Sequence, residues 1–463
     1  MPGRAGARLF GTDGIRGVAG RFPLDERTVA VIGRSLVLNL ARELGRPPRI
    51  LIGRDTRESG AQIELALARG AMSAGAAVRS AGVITTPGVA YITRATPFDA
   101  GIVISASHNP YQDNGVKVFS PSGRKLDDEM ERRIEMDVAD ESGVSAGAFH
   151  HRESEADWLR DQGEKEKAYQ DRYINYLAID VGRGLKLDGL RMGLDCANGA
   201  ASSIAPKLFA RLGAHVEVIA AEPDGRNINA ACGSLHQEAL QRLVVERGFE
   251  LGISFDGDAD RALFVDEEGR LVDGDATLLI LADHLKRRGR LAGDLVVATV
   301  MSNVGLEIAL RERGIDLVRA QVGDRYVLEE LLARGAKLGG EQSGHIIFPD
   351  ISLAGDGMIT AIELLRAMLD SGSSLGRLAA QMTRLPQLLV NVRVRSKPPF
   401  DTLPQVKAES ERVERELQGM GRLLVRYSGT ENLARVMIEG EDETKIREQA
   451  GRLADAIRIA IGE

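Results

Sequence analysis

Ala100-Gly101-Ile102-Val103-Ile104-Ser105-Ala106-Ser107-His108-Asn109-Pro110 is the stretch around which the rest of the chain falls into order. Five small or apolar residues followed by a polar turn read as a buried strand. Residues 105–110 are then a hydroxyl-rich turn at the carboxyl end of that strand, where ligands sit in open α/β sheets. A serine on such a turn, beside a histidine and an Asn-Pro that stops helix propagation, is a candidate covalent nucleophile. The competing reading is a polar loop whose Ser and Asn side chains satisfy their own backbone. Two serines qualify, Ser105 and Ser107.

Outward from this turn, short apolar strands alternate with helical periodicity. A helix is expected over 27–44, a strand over 49–52 running into the charged turn 53–57, and a second helix capped by Ser59 and continuing to Ala74. With strands around Val78 and Ile102, this alternation predicts βαβ units and a mostly parallel sheet. Upstream, residues 10–17 open the fold with three glycines and place Arg16 among small residues. The charged stretch 137–167 carries His150, His151 and Trp158. The paired histidines lack partners at ligand spacing, so this is read as a connector rather than a metal site. Strand, Gly/Asn turn, helix, Gly and strand then recur over 190–219 and 294–318. From about Leu385 the pattern alternates, and strands at 422–426 and 434–438 precede a final helix. The expected architecture is three related mixed α/β domains in series (1–155, 156–260 and 261–372) plus a smaller C-terminal α+β domain (373–463).

The 463 residues exceed what one core holds, and 43% hydrophobic with 27% charged residues is ordinary for a soluble globular protein. A net charge of −7 argues against nucleic acid as a partner. The start of the chain has no secretory apolar segment, and no apolar run approaches the ~20 residues of a membrane span, so no membrane partner is expected. Cys196 and Cys232 stand far apart in no metal-ligand spacing, which points to a reducing, cytoplasmic location. A small anionic substrate remains open, because Arg16, Arg54, Arg57, Arg261, Arg325, Arg426 and Arg435 all sit in turn-like contexts.

Three further loops carry chemistry. Asp256-Gly257-Asp258-Ala259-Asp260-Arg261 follows a strand, and carboxylates at i, i+2 and i+4 can fold onto one hard cation. An EF-hand fails here, because its sixth position must be Gly and is Arg261, and the flanks are strands. Mg²⁺, held by a few carboxylates and a phosphate oxygen, is the expected ion, one per site. Gly339-Gly340-Glu341-Gln342-Ser343-Gly344-His345 offers donors and acceptors suited to sugar hydroxyls, with a structural hairpin as the equal alternative. Arg426-Tyr427-Ser428-Gly429-Thr430-Glu431 with Arg435 combines hydroxyls, free amides and two guanidinium groups, which suits a phosphate. Nucleophile, cation, sugar loop and phosphate cradle together specify phosphoryl transfer.

In this order and spacing the loops closely resemble the phosphohexomutase superfamily, over the whole length from Phe10 to Thr430. Residues 227–236, 322–327, 341–345 and 355–357 resemble its amino-sugar branch. The resemblance implies four domains around a central active-site cleft, with Ser107 rather than Ser105 as the phosphoserine. It implies Asp256, Asp258 and Asp260 as metal ligands together with the phosphate on Ser107, and Arg16, His108, Lys117 and Arg261 around the transferring phosphoryl. Asp324, Arg325, Glu341, Ser343 and His345 would hold the sugar, and Arg426, Ser428, Gly429, Thr430 and Arg435 the other phosphate. Lys117 and His345 are the general acid/base candidates. Asn432 departs from the proline more usual there. The implied activity interconverts glucosamine 6-phosphate and 1-phosphate through a 1,6-bisphosphate, with glucosamine or glucose 1,6-bisphosphate as activator, in a monomer or homodimer feeding UDP-N-acetylglucosamine synthesis. A mutase acting on mannose or glucose phosphates and a non-catalytic phosphosugar-binding protein stay open. A phosphatase with an aspartyl nucleophile would need no second phosphate cradle.

Overall fold

The structure, a computed structural model, describes residues 9–11, 14–140, 162–418, 421–428 and 432–463. The chain forms two compact units, one of residues 1–300 with 318–379 and the other of 301–317 with 380–463. The paired histidines and Trp158 lie outside the described residues, as do Gly429 and Thr430.

In the first unit, a six-stranded sheet has the order Phe10–Gly11, Gly14–Val18, Asp113–Phe119, Ala100–Ile104, Arg49–Arg54, Ala77–Val83. Ala100–Ile104, Arg49–Arg54 and Ala77–Val83 run parallel, joined through the helices Gly60–Ser73 and Thr86–Ala95. The other three pair antiparallel, so the sheet is mixed rather than mostly parallel. Chain length is the reason. Only residues 105–112 separate Ala100–Ile104 from Asp113–Phe119, fewer than the dozen or so that a parallel crossover needs. The serine turn is thus the connection of an antiparallel pair.

The second sheet repeats this plan in the order Leu271–Val272, Ala262–Asp266, Leu251–Phe255, Arg191–Asp195, His215–Ile219. Leu251–Phe255 is parallel to Arg191–Asp195 and antiparallel to Ala262–Asp266, and the acidic triplet is the turn between them. The sheet therefore runs through the domain boundary expected at residue 260. In the third sheet, Gly339–Gly340 is parallel to Leu295–Thr299 and antiparallel to Ile346–Ile347, with residues 341–345 between. In the second unit, Gln387–Arg393, Leu433–Glu439 and Arg422–Tyr427 make an antiparallel sheet. The helices Pro404–Leu417 and Glu443–Ile461 share its core through Val406, Val413, Leu453 and Ile457.

Ser59 does precede the helix Gly60–Ser73, but its hydroxyl does not cap it. Its Oγ accepts from Asn114 Nδ2 at 2.9 Å instead, which ties the helix start to the strand after the serine turn. No helix among the described residues is long and apolar enough to cross a membrane.

The helices Glu26–Leu44 and Gly60–Ser73 meet through glycines. A Cβ on Gly70 would stand 1.9 Å from the Ala30 carbonyl oxygen, and one on Gly33 2.4 Å from that of Leu67. Gly70→Ala is expected to destabilise by about 1–3 kcal/mol through overpacking. Gly451 lies in the helix Glu443–Ile461 with nothing within 4 Å of an added Cβ. There alanine should stabilise by about 0.5–1 kcal/mol. Denaturant midpoints of the two variants shifting in the same direction would refute this packing account.

Candidate active site

The serine turn is built around a buried guanidinium. Arg57 is 1% exposed. Its Nε donates to Asp55 Oδ2 at 2.9 Å, Nη2 to the carbonyls of Ser107 at 2.9 Å and Asn109 at 2.8 Å, and Nη1 to those of Asp113 at 3.0 Å and Pro110. All five of its donors are therefore spent on the turn and its anchor. Ser105 Oγ donates to Asp55 Oδ2 at 2.6 Å and accepts from the Ser107 amide at 2.9 Å. Burial pushes the Asp55 carboxyl upward while Arg57 and Ser105 oppose the shift. Arg57 is thus occupied within the protein rather than gathered for an anionic substrate. So is Arg54, paired with the buried Glu64 at 2.9 Å.

This scaffold leaves Ser107 distinct from Ser105. Ser107 has φ 52°, the left-handed region that costs a non-glycine residue about 1 kcal/mol or more. Its Oγ donates to Asp256 Oδ2 at 2.5 Å and lies 3.2 Å from His108 Nδ1. Burial, then Arg261 and Arg16, push the His108 imidazole down to about 4, so it is neutral at pH 7. His108, Arg16 and Arg261 thus share one neighbourhood beside Ser107.

Asp256, Asp258 and Asp260 are all buried, with carboxylate oxygens within 4.8 Å of one another. Thr86 grips the turn, its Oγ1 donating to Asp258 Oδ2 at 2.6 Å and its amide to the Asp258 carbonyl at 3.0 Å. Lys117 Nζ sits 3.0 Å from Asp258 Oδ2 and 3.5 Å from Asp260 Oδ2. Burial and the two neighbouring carboxylates drive Asp256 well above the usual range. Burial acts on Asp260 too, but Lys117 and His345 outweigh it and hold that carboxyl well below. Asp258 Oδ1 and Asp260 Oδ1 are buried with no hydrogen-bond partner. Two orphaned carboxylate oxygens in a three-carboxylate cluster fit a hard divalent cation. Gly257 allows the close approach of this turn to the serine turn, since a Cβ there would stand 2.6 Å from the Ser107 carbonyl oxygen.

The hairpin turn 341–345 joins the same neighbourhood. His345 Nδ1 lies 3.6 Å from Asp260 Oδ1 and Nε2 3.9 Å from Asp324 Oδ2. Burial opposes its protonation, but Asp260, Asp324 and Glu341 raise it to about 9. Glu341 Oε1 accepts from the Gly323 amide at 3.1 Å, and Ser343 Oγ donates to Glu341 Oε2 at 3.4 Å. A cavity of about 210 Å³ is lined by Lys117, Lys125, Asp260, Asp324, Arg325 and His345 among others. Lys125 pairs with Asp324 at 2.7 Å, while Arg325 pairs with Asp128 at 2.5 Å and Glu329 at 3.0 Å.

In the second unit Arg426 and Arg435 are directly opposite in the antiparallel register. Burial and Arg435 both lower Arg426. Like charges face to face in a sheet repel, and an anion between them would relieve this. Ser428 is buried, its Oγ accepting from Arg435 Nη2 at 3.4 Å. Lys397 Nζ donates to the Ser428 carbonyl at 2.8 Å. Reading the sequence missed Lys397, Lys125 and Thr86, none of which stands in a loop of unusual composition. Only Thr85-Thr86-Pro87, a helix-start signal after a strand, was there to be noticed.

Comparisons with known proteins bear on the family and the fold. Models of the phosphoglucomutase/phosphomannomutase family match in four parts: α/β/α domain I over residues 7–144, domain II over 167–269, domain III over 273–385 and the C-terminal domain over 389–456. A phosphoglucosamine mutase of Koribacter versatilis is 51% identical, covering 98% of this chain and 97% of that one. One of Solibacter usitatus is 50% identical, covering 98% and 99%. Among solved structures, a phosphoglucomutase/phosphomannomutase family protein of Burkholderia thailandensis is similar in fold, with a TM-score of 0.77 at 22% identity over 98% of this chain and 97% of that one. An Aspergillus fumigatus N-acetylphosphoglucosamine mutase, in complex with GlcNAc-6P and magnesium, has a TM-score of 0.65 at 19% identity, covering 99% and 97%.

The acidic cluster generates a prediction that needs no substrate. Mg²⁺ at about 100 times its Kd should stabilise the protein by about 2.7 kcal/mol, read as a raised thermal midpoint. Asp258→Asn should abolish that rise. An undiminished rise in the variant would place the cation elsewhere.

Proposed function

The chain belongs to the phosphoglucomutase/phosphomannomutase family, and on that premise we propose that it is a phosphoglucosamine mutase, interconverting glucosamine 6-phosphate and glucosamine 1-phosphate. The observation that carries the reading is Ser107 Oγ at 2.5 Å from a carboxylate of a buried acidic cluster. Relatives named for that activity, 50–51% identical over 98% of this chain, support the amino sugar over other hexoses.

The reaction starts from phospho-Ser107. The C1 hydroxyl oxygen of glucosamine 6-phosphate attacks phosphorus, the P–Oγ bond breaks, and the O1–P bond forms. The hydroxyl proton passes to a base and Ser107 Oγ takes one up, which leaves the 1,6-bisphosphate and a free serine. After the bisphosphate turns over, Ser107 Oγ gives its proton to a base and attacks the 6-phosphoryl, the Oγ–P bond forms and the O6–P bond breaks, O6 takes up a proton, and glucosamine 1-phosphate and phospho-Ser107 remain. Asp256, Asp258 and Asp260, with an oxygen of the phosphoryl on Ser107, would hold Mg²⁺, whose charge when bound offsets that of the transferring group. Arg16 and Arg261 add positive charge there, and neutral His108 is a hydrogen-bonding neighbour of Oγ. Lys117 and His345 are the acid/base candidates. The roles assigned to Asp324, Arg325, Glu341, Ser343 and His345 are to orient the sugar. Arg426, Ser428 and Arg435, with Gly429 and Thr430, would bind the phosphate that is not moving, and we add Lys397 to that set. A 1,6-bisphosphate of glucosamine or glucose would charge Ser107. Two buried thiols without a disulfide suit a cytoplasmic enzyme.

A coupled assay on glucosamine 6-phosphate with Mg²⁺ and a bisphosphate primer should show turnover that exceeds turnover of glucose and mannose 6-phosphates. Ser107→Ala should lose about 10³-fold or more of kcat, as removal of a covalent nucleophile does, and its intact mass should show no phosphate. A Ser107→Ala protein with full activity would sink the reading, and a preference for glucose or mannose phosphates would redirect it.

A further inference from the structure

We propose that Asn229 is a positioning residue for the phosphoryl-bearing turn, an inference that rests on Ser107 being the phosphoryl carrier. Residues 227–236 follow the second sheet's strand His215–Ile219 and return to the first sheet's serine turn. None of the roles above accounts for that segment.

The Asn229 Nδ2 donates to the Ser107 carbonyl at 2.9 Å and to the Asn109 carbonyl at 3.0 Å. These are the same two carbonyls that Arg57 Nη2 holds from the turn's own sheet. Each carbonyl has two lone pairs, so Arg57 and Asn229 together saturate both. Arg57 is local to the turn. Asn229 fastens it to the domain that carries the acidic cluster.

The support behind Asn229 is rigid. Its amide donates to the Ala197 carbonyl at 2.9 Å. Asp195, at the end of the neighbouring strand, accepts from the Ala197 amide at 2.9 Å and the Gly233 amide at 2.8 Å, tying the loop to the segment that carries Ala197. Asn229 has φ 58°, a conformation Asn adopts more readily than most residues. Its side chain also fills the space over Gly257, where an added Cβ would stand 3.1 Å from Nδ2 and 2.6 Å from the Ser107 carbonyl oxygen. The amide is thus wedged between serine turn and metal turn. Ser107 keeps its left-handed backbone, and its Oγ stays on Asp256, because both carbonyls of the turn are held from two sides.

Two variants separate positioning from folding. Asn229→Asp keeps size and left-handed preference but replaces the donor with an oxygen facing two carbonyls. Asn229→Gly keeps the backbone conformation and deletes the side chain. In the phosphorylated, Mg²⁺-loaded enzyme, kcat should fall about 10- to 100-fold in both, the scale of a misplacement near 1 Å. KM for glucosamine 6-phosphate should stay within about threefold, the pattern of an interaction made in the transition state. Single-turnover transfer from the phosphoserine should slow by the same factor as kcat, measured at saturating Mg²⁺ and at a temperature where each variant remains folded. Either variant retaining kcat within about twofold, or losing it in step with the folded fraction, would overturn the assignment. A parent enzyme without mutase activity or phosphate on Ser107 would instead overturn the reading beneath it.

Discussion

Asp256, Asp258 and Asp260 place three carboxylates within 4.8 Å of one another in the protein interior, and burial of like charges is costly unless they are compensated. Much of the surrounding architecture supplies that compensation. Lys117 enters from the first sheet, Thr86 from the start of the first unit's helix Thr86–Ala95, and His345 from the third sheet. The compensation is uneven: Asp260 is held down by two cations while Asp256 is driven up and takes a proton-bearing partner, Ser107. A serine whose hydroxyl is bound to this cluster is thereby coupled to whatever charge the cluster holds.

The means of assembly is one topological device used three times. In each sheet of the first unit a strand running parallel to its neighbour reaches its carboxyl end, turns, and returns antiparallel. The turns are the serine loop, the acidic hairpin and the residues 341–345. The return matters chemically. Lys117 sits opposite Val103 in the antiparallel register, so its ammonium reaches the acidic turn from the strand that the serine turn itself begins. A crossover helix after the turn would have carried residue 117 to the face of the sheet.

The second unit presents the opposite electrostatic problem. Arg426 faces Arg435 across a strand pair with Lys397 close by at Ser428. Two guanidinium groups held face to face in this sheet are complementary to an anion.

The sequence alone determined many of the elements and the kinds of side chain gathered in each polar loop. An apolar pentapeptide before Ser105, aspartates at alternate positions before Arg261, and alternation from Leu388 to Val394 are local patterns, and local patterns dictate strands, turns and ligand types. It also determined that two serines competed. The tertiary structure gives their hydroxyls different partners, Ser107 meeting Asp256 and Ser105 meeting Asp55, contacts spanning 149 and 50 residues. It decided as well that Arg57 and Arg54 serve the fold, that Ser59 bonds Asn114 instead of capping, and that the first sheet is mixed. Each of these turns on where a side chain's partner lies in space, and a chain read in order holds no information about pairings that only folding brings within hydrogen-bond reach.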